Sequence, residues 1–473
     1  MLMRSLLFLM LWALLMTGCA EFKARPLNPV DLATQLETRS LQSDDLNQFV
    51  AEISKQQNNS ESISKPWNLD KLTLAAIYFH SDVRLARAQF DNTEAAAITA
   101  GQRPNPSFAI TPAWISNLAG APPWIVVSAL SIPIETAGKR GYRIDRSYFL
   151  IDAARLRIID AVWQVRSRLR LAMLDVYFVQ EGLRLLQYQR GLQEAINHHL
   201  QQQQLAGEIA YADRLTAELA LQQIQLNVTL AQKKLNEGKT ILAAAIGVPL
   251  TALMKVELDF TDFKQVPNLQ LVEDSAQLKA VALHQRSDVL AALADYSAAQ
   301  SAVQLEIANQ YPNFQLNPGY TWNTGENRWL LGLAALQLPV FNQNEGPIAE
   351  AEAKRREAAI RFEALQLRII AELDRAYASV HELQARTTAA EQLCRNRQEN
   401  LRTVESLLSA GEQDAHAVAT AKLELAVAER SQLDVLQESQ QTVALLEAAL
   451  RYPMTPILTN QLLSSLSSGK ITP

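Results

Sequence analysis

The chain has 473 residues, nearly half of them hydrophobic, so it can bury a large core. Its 44 Lys and Arg residues are balanced by 49 Asp and Glu residues, and the net charge of −5 without a basic stripe excludes nucleic acid as a main partner. The two cysteines, Cys19 and Cys394, exclude a disulfide framework. Cys394 is predicted to be a small buried helix residue.

Residues 1–18 have the features of a targeting segment. Arg4 provides a positive start, an apolar run follows, and Met16-Thr17-Gly18-Cys19 ends it. The run is shorter than the roughly 20 apolar residues of a transmembrane helix. The last four residues resemble the lipobox of bacterial lipoproteins, with Met16 where Leu is commonest. This resemblance implies lipid attachment at Cys19 and, with Ala20 next, release to the outer membrane. An ordinary signal peptide with an incidental cysteine is the alternative.

Residues 19–66 are rich in Gln, Asn, Ser and Asp, and we predict an extended, lipid-anchored tether there. From Leu69 to Arg103, small and apolar residues recur at helical spacing, which predicts one helix. The equivalent helix further along the chain is predicted from about Leu271 to Gln310.

Each of these helices is followed by a pair of short strands. Near 312–323, apolar and aromatic residues alternate with Asn, Gln and Thr, and a partner strand is predicted near 329–340. The first pair is predicted near 106–116 and 124–134. One apolar and one polar face are typical of strands with lipid outside and water inside. Aromatic side chains near the turns suit the membrane interface, or else the core of a soluble sandwich; they are Trp114, Trp124, Trp322 and Trp329.

Two long helical regions come after the strands. Both lack proline over about a hundred residues and are dense in good helix formers. Apolar residues from Val162 to Leu186 keep the spacing of a coiled-coil seam. The region 141–205 alone would form a rod on the order of 100 Å long. Each rod breaks at a glycine, Gly207 or Gly411, which predicts two antiparallel helical hairpins with their tips there.

The order of elements occurs twice because the chain is duplicated. Ser81-Asp82-Val83 recurs as Ser287-Asp288-Val289, and Ile132-Pro133-Ile134 recurs as Leu338-Pro339-Val340, each 206 positions later (287 − 81 and 339 − 133). We therefore predict two repeats, residues 67–270 and 271–455, followed by a C-terminal tail at 456–473.

The number of strands sets the assembly. Two copies supply four strands, whereas the smallest single-chain outer-membrane barrels have about eight. Unpaired strand edges are not tolerated in lipid, so we expect a symmetric ring, in which three chains give twelve strands. The predicted fold class is mainly α with a small β part. Long antiparallel helical hairpins form an α-barrel, and the four strands contribute to a trimeric transmembrane β-barrel.

This combination of repeat, strands, rods and lipobox resembles the outer-membrane efflux channels of the TolC superfamily over roughly residues 67–455. The resemblance implies a homotrimer in the outer membrane of a Gram-negative cell. Its helices would extend into the periplasm, and their tips would dock on a periplasmic adaptor (membrane fusion) protein and an inner-membrane RND pump. The segment 133–140, Pro-Ile-Glu-Thr-Ala-Gly-Lys-Arg, is similar to one in the CzcC-type heavy-metal branch, and 339–346 is similar to its second-copy counterpart.

No catalytic motif is found: the sequence has no GxSxG, HExxH, Walker loop or dinucleotide fingerprint. We therefore predict that the chain is not an enzyme, that it uses no cofactor, and that a partner supplies the energy for export. Lys139 and Arg140, where a strand leaves the membrane, are predicted to contact the phosphates of outer-membrane lipid.

The tips carry the candidate gate. Rings of negative charge from three copies would favour cations at a constriction, with exposed helix-turn charges as the alternative. Ala417 and Thr420 stand where superfamily members often have aspartates. His198 and His199 are predicted to be solvated helix surface or a transient metal contact, and no metal ligand is assigned. The candidate tip residues are Gly207, Glu208, Asp213, Gly411, Glu412, Asp414 and His416.

The resemblance thus implies a passive exit duct of a tripartite efflux system, with heavy-metal cations as the favoured cargo. Organic drugs or type I secreted polypeptides are the alternative cargo. A non-conducting, lipid-anchored periplasmic coiled-coil scaffold is the alternative of another class.

Overall fold

The computed structural model describes residues 21–56, 66–114, 116, 124–267, 275–323, 326–334 and 339–451. The predicted signal segment, Cys19 and the C-terminal tail lie outside these residues. The first part of the chain forms α1 (Pro29–Glu37), α2 (Asp44–Gln56), α3 (Leu69–Phe79), α4 (Ser81–Gly101), β1 (Ser107–Trp114), β2 (Trp124–Ile134), α5 (Lys139–Leu205), α6 (Tyr211–Ile246) and the short α7 (Leu250–Leu253). The second part forms α8 (Ser275–Gln285), α9 (Ser287–Ala308), β3 (Phe314–Asn323), β4 (Glu326–Ala334), α10 (Glu345–Ser409) and α11 (Ala415–Leu450).

Two very long helices dominate the molecule. The helix α5 has 67 residues and α10 has 65, so each is about 100 Å long. The helix α6 folds back along α5, and α11 folds back along α10. The helices α4, α9 and α11 also pack on α5, which ties the two halves into one body.

The larger core lies midway along the rods. It joins the apolar faces of α2, α3, α5, α6 and α7, with Leu72, Ile77 and Leu169 fully buried. A smaller core joins α8 to α11 in the second copy, around Ile369 and Leu446.

The described part of the segment 19–66 is not the extended tether that was predicted. It forms α1 and α2, and α2 packs on the core. Its apolar residues recur at spacings of three and four, which gives an amphipathic helix with one buried face: Leu46, Phe49, Val50 and Ile53. Because polar residues lie between these apolar ones, the composition of the segment does not reveal the helical pattern.

The predicted single helix from Leu69 to Arg103 is wrong, since α3 and α4 are separated at His80. His80 has extended backbone angles, and its Nδ1 accepts a hydrogen bond from the Asp82 amide at 3.1 Å, which caps α4. The second copy breaks 206 positions later, at Arg286, between α8 and α9. Neither break contains Gly or Pro, so the sequence has no helix-breaking residue that would have predicted it.

The four strands form one antiparallel sheet in the order β1-β2-β3-β4. The strand β4 begins earlier than the predicted residue 329, because Glu326 already pairs with Asn323 of β3. Residues 335–338 of the predicted fourth strand lie outside the described residues. Within the described sheet, β1 and β4 each have a partner on one side.

Candidate functional site

The sheet has one continuous apolar face. Directly paired residues point to the same side, and so do residues two apart along a strand. The pairs Trp114–Trp124, Val126–Trp322 and Ile134–Phe314 therefore place the apolar residues of neighbouring strands on one side. The pair Trp322–Asn327 continues this face to Trp329 and Leu331 in β4. Residues of the opposite side include Thr111, Ser131, Gln315, Asn317, Thr321 and Arg328. The register thus places the predicted lipid-facing and water-facing sets on opposite sides.

The four candidate tryptophans lie on the apolar face near the turns. All are exposed, from 41% for Trp322 to 83% for Trp329. The rings of Trp114 and Trp124 meet edge to face, with centroids 4.9 Å apart. Copy two differs, because Trp329 lies opposite Tyr320 rather than Trp322, with ring centroids 4.8 Å apart. The interface role of these residues stays a prediction.

The structure gives Lys139 a different role from the predicted lipid contact. Its side chain is 5% exposed, and its Nζ donates to the Tyr311 carbonyl oxygen at 2.6 Å and to Asn313 Oδ1 at 2.7 Å. Burial lowers the pKa of Lys139, and nearby Glu135 opposes this effect. Thr136 Oγ1 also donates to the Pro312 carbonyl, at 2.6 Å. The turn after β2 therefore holds the chain entering β3, and the ammonium is not directed at lipid.

Arg140 strengthens the same junction. Its Nε donates to the carbonyl of Gly101, at the end of α4, at 2.8 Å. Arg143 forms a two-point ion pair with Glu135, at 2.5 and 2.9 Å, and its hydrogen bond lowers the pKa of the Glu135 carboxyl. The segment that resembles the heavy-metal branch thus acts in this structure as a clamp between helix and sheet.

The two tips have the same backbone geometry. Gly207 and Gly411 have φ values of +79° and +78°, in the left-handed region that glycine adopts without steric cost. The amides of the next residues, Glu208 and Glu412, each donate back to the final helical turn at 2.9 Å. This is the hydrogen-bond pattern that ends helices at glycine, and it leaves both glutamates exposed on the turns.

The two tip aspartates serve as helix caps. Asp414 Oδ1 accepts from the Ala417 amide at 2.8 Å, and Asp213 Oδ2 accepts from the Ala210 amide at 3.3 Å. The Ala417 amide is the main cause of the lowered pKa of Asp414. Both carboxylates therefore satisfy backbone donors at the helix starts, a role that sequence reasoning did not assign.

The structure also brings the two tips together through histidine. His199 Nε2, on α5, lies 3.6 Å from Asp414 Oδ2, and the ring centroids of His199 and His416 are 5.7 Å apart. His198 is not part of this contact set. Over the described ranges, no group of three or more His, Cys, Asp or Glu side chains is arranged to hold a metal ion.

A buried charge cluster at mid-height was missed from the sequence. Glu447 of α11 accepts hydrogen bonds from Arg166, at 2.9 Å, and from Arg170, both on α5, and all three side chains are at least 94% buried. Burial raises the pKa of Glu447, but the two arginines outweigh it, so the pKa is lowered overall. Nearly 280 residues separate these partners, which leaves no local signal.

None of the helices, as far as they are described, has a stretch long and apolar enough to cross a membrane.

Solved structures share this arrangement. The chain is 18% identical to the outer membrane protein VceC of Vibrio cholerae, with a TM-score of 0.66 over 82% of this chain and 97% of VceC. It is 16% identical to the outer-membrane channel OprN, with a TM-score of 0.67 over 93% of this chain and all of OprN. CusC, studied for folding and transmembrane channel formation, is 16% identical, with a TM-score of 0.64 over 82% and 95% of the two chains.

A family comparison agrees with the fold. Residues 278–450 match the family of outer membrane efflux proteins. The chain has the fold of the TolC superfamily. The superfamily resemblance and the fold class drawn from the sequence are confirmed, and the match to efflux proteins supports the prediction that the chain is not an enzyme. The heavy-metal branch stays a prediction. None of the curated proteins matches the chain by sequence.

Proposed function

We propose that three copies of this chain form the passive outer-membrane exit duct of a tripartite efflux system. The observation that carries the proposal is the four-stranded sheet, with an apolar face and with β1 and β4 at its edges. A sheet in lipid needs its edges paired, and a ring of three copies pairs β4 of each chain with β1 of the next. The match of residues 278–450 to outer membrane efflux proteins supports this proposal.

The rods then set the reach of the duct. The tryptophan end of the sheet lies in the outer membrane, and rods of about 100 Å carry the tips deep into the periplasm. An adaptor protein and an RND pump would dock there. Glu208 and Glu412 would ring the opening, where carboxylates favour cations.

Heavy-metal cations are the cargo that we favour, on the resemblance of segment 133–140 to the metal branch. The residues of that segment clamp the junction between sheet and rods, so the resemblance, rather than a cargo contact, carries the assignment. A deletion strain tests it. Lost tolerance to zinc, cobalt, cadmium or copper supports metal cargo, whereas unchanged metal tolerance with lost tolerance to dyes or detergents identifies an organic-drug duct.

Native mass and single-channel conductance test the duct itself. A trimer in detergent that conducts ions in planar bilayers is expected. A monomer contradicts the closure argument, and a trimer without conductance supports the scaffold alternative. Changing Glu208 and Glu412 to Gln should lower the preference for cations over anions. The control Glu357→Gln removes an exposed carboxylate that pairs with Arg361 on α10, far from the tips, and should leave selectivity unchanged.

We also propose that Cys19 carries the lipid anchor. Metabolic labelling with radioactive palmitate should mark the wild type and not Cys19→Ser. Equal labelling of both would overturn the assignment.

A further inference from the structure

The helix α1 presents an apolar face that the protomer does not cover. Five apolar residues lie on one side of the helical wheel, where Glu37 also falls, and Asp31, Thr34 and Gln35 lie on the other side; the apolar set is Pro29, Val30, Leu32, Ala33 and Leu36. None of the nine residues of α1 is buried, and Val30 remains 71% exposed. A helix this short is marginal alone in water, because nucleation is costly. Its order therefore calls for a partner surface.

The neighbouring helix α2 shows what such a face does when a partner is present. The apolar side of α2 packs into the larger core, and it helps to bury α3, in which Leu72 and Ile77 are fully enclosed. Arg39, between α1 and α2, anchors the connection by donating to the carbonyls of Phe79 and Gly247, at 3.0 and 2.8 Å. The helix α1 thus starts from a fixed point at the level of α3.

That fixed point places α1 too far from the membrane to lie on lipid. The helix α4 runs from this level to the junction below the strands, which is about 30 Å for 21 residues. The helix α1 is about 13 Å long and ends two residues before Arg39, so its far end lies within about 20 Å of that residue. Even pointed straight at the strands, α1 stops short of them. Its apolar face must meet protein.

The second copy contains an apolar surface of the matching kind. The helix α8 is the repeat equivalent of α3, offset by 206 positions (275 − 69). Whereas most of α3 is enclosed, Leu278, Val281 and Leu283 of α8 are only half-buried. They correspond by repeat to Leu72, Ala75 and Ile77, which are fully buried in copy one. Leu278 and Leu283 pack with one side against the smaller core of their own chain, and the rest of this surface stays partly open in copy two.

We propose that the apolar face of α1 packs against α8 of an adjacent copy of this chain. Two different surfaces of one chain then meet head to tail, which is the contact type that closes a ring. This inference rests on the proposed trimer and names one of its contacts outside the sheet. Each N-terminal segment straps its own chain to the next at mid-height.

Photo-crosslinking in the full-length protein tests the contact. A benzophenone amino acid replaces Leu36, on the apolar face, or Gln35, on the polar face, and native mass is measured on both proteins before irradiation. The expected result is a covalent dimer from position 36, with a crosslinked peptide that contains Leu278 to Leu283. Position 35 should not give this adduct. A lipid adduct, a crosslink within one chain or an adduct with another protein instead would overturn the proposal.

The control separates this inference from the proposed function. An intact trimer with no dimer adduct from position 36 overturns the α1–α8 contact alone, whereas a monomer overturns both. As a second measurement, Leu32→Asp should lower the temperature at which trimers dissociate, while Thr34→Asp, on the polar face, should not. Equal dissociation temperatures for the two variants would contradict the strap.

Discussion

Replacing Glu447 with Gln should destabilise the protein more than any single change at an exposed ion pair. Glu447 is the shared carboxylate of Arg166 and Arg170, and Glu447 and Arg166 are each only 2% exposed. Removing its charge leaves two guanidinium groups in the interior with no counter-charge between them. Breaking a buried ion pair in this way costs about 3–5 kcal/mol.

The same helix offers a matched control. Glu438, about two and a half turns earlier in α11, pairs with Arg386 of α10, and both side chains are well exposed. Exposed pairs contribute roughly 0.2–1 kcal/mol, so Glu438→Gln should lower the free energy of unfolding by no more than about 1 kcal/mol. Urea unfolding followed by helical circular dichroism, at one protein concentration in one detergent, compares the two variants.

A compensating variant separates charge from packing. Glu447→Leu combined with Arg166→Met and Arg170→Met removes all three charges, and apolar replacements of buried ion clusters are often neutral or stabilising. We expect this triple variant to recover most of the stability lost in Glu447→Gln. The reasoning is refuted if Glu447→Gln and Glu438→Gln unfold at the same urea concentration.

Acid should act through the same carboxylate. The folded-state pKa of Glu447 lies below its ordinary value of 4.5, because the two arginines outweigh the effect of burial. Its contribution to stability is therefore complete above about pH 4.5 and is lost as the pH falls through the lower, folded-state pKa. The wild type should lose stability over this acidic range, and Glu447→Gln should lack that component of the loss.

Three further changes and one control test the junction and the tips by the same unfolding measurement. Lys139→Met should lower the free energy of unfolding by about 1–3 kcal/mol, because it leaves the partly buried carbonyl of Tyr311 without its charged donor. A loss no larger than that from the same change at an exposed lysine would contradict the clamp. Gly411→Ala should cost about 1–2 kcal/mol through its positive φ alone, since an added Cβ meets no atom within 4 Å. Gly346→Ala, equally unobstructed in the first turn of α10, should be neutral or slightly stabilising. Asp414→Ala should cost about 1 kcal/mol as a lost cap, and an unchanged unfolding midpoint would show that the cap is not needed.

Local patterns explain which features could be predicted from the sequence. Alternation along β3 and the 3–4 spacing along α5 depend on neighbouring residues, and both yielded the right element. The glycine turns at 207 and 411 follow from backbone chemistry in the same way. The role of Lys139 could not be predicted, because its acceptors lie 172 and 174 residues away. Composition also misled: α2 buries four apolar residues among polar ones, and a tether was predicted there.

The repeat itself is less regular than its landmarks indicate. The left-handed residue before each rod keeps the offset of 206, with Gly138 matching Asn344. The tip glycines are 204 apart (411 − 207), and α10 is two residues shorter than α5. Two residues must therefore be missing from copy two somewhere between Asn344 and Gly411.

Burial shows where those two residues are missing. Buried positions of α5 and α10 correspond at an offset of 204, in the pairs Val165–Ile369, Leu169–Leu373 and Ala172–Ala376. Ala351 is buried, and its counterpart is Ser147 at an offset of 204 or Asp145 at an offset of 206. Because Ser147 is half-buried whereas Asp145 is exposed, the offset of 204 already applies at Ala351. Two residues turn a helix by about 200°, so a loss in the middle of the rod would rotate its apolar stripe into solvent. The missing two residues are tolerated in the first turns of α10, because these turns precede the packed apolar stripe. At this place Asn344 contacts Glu306, whereas copy one has the clamp formed by Lys139 and Arg143.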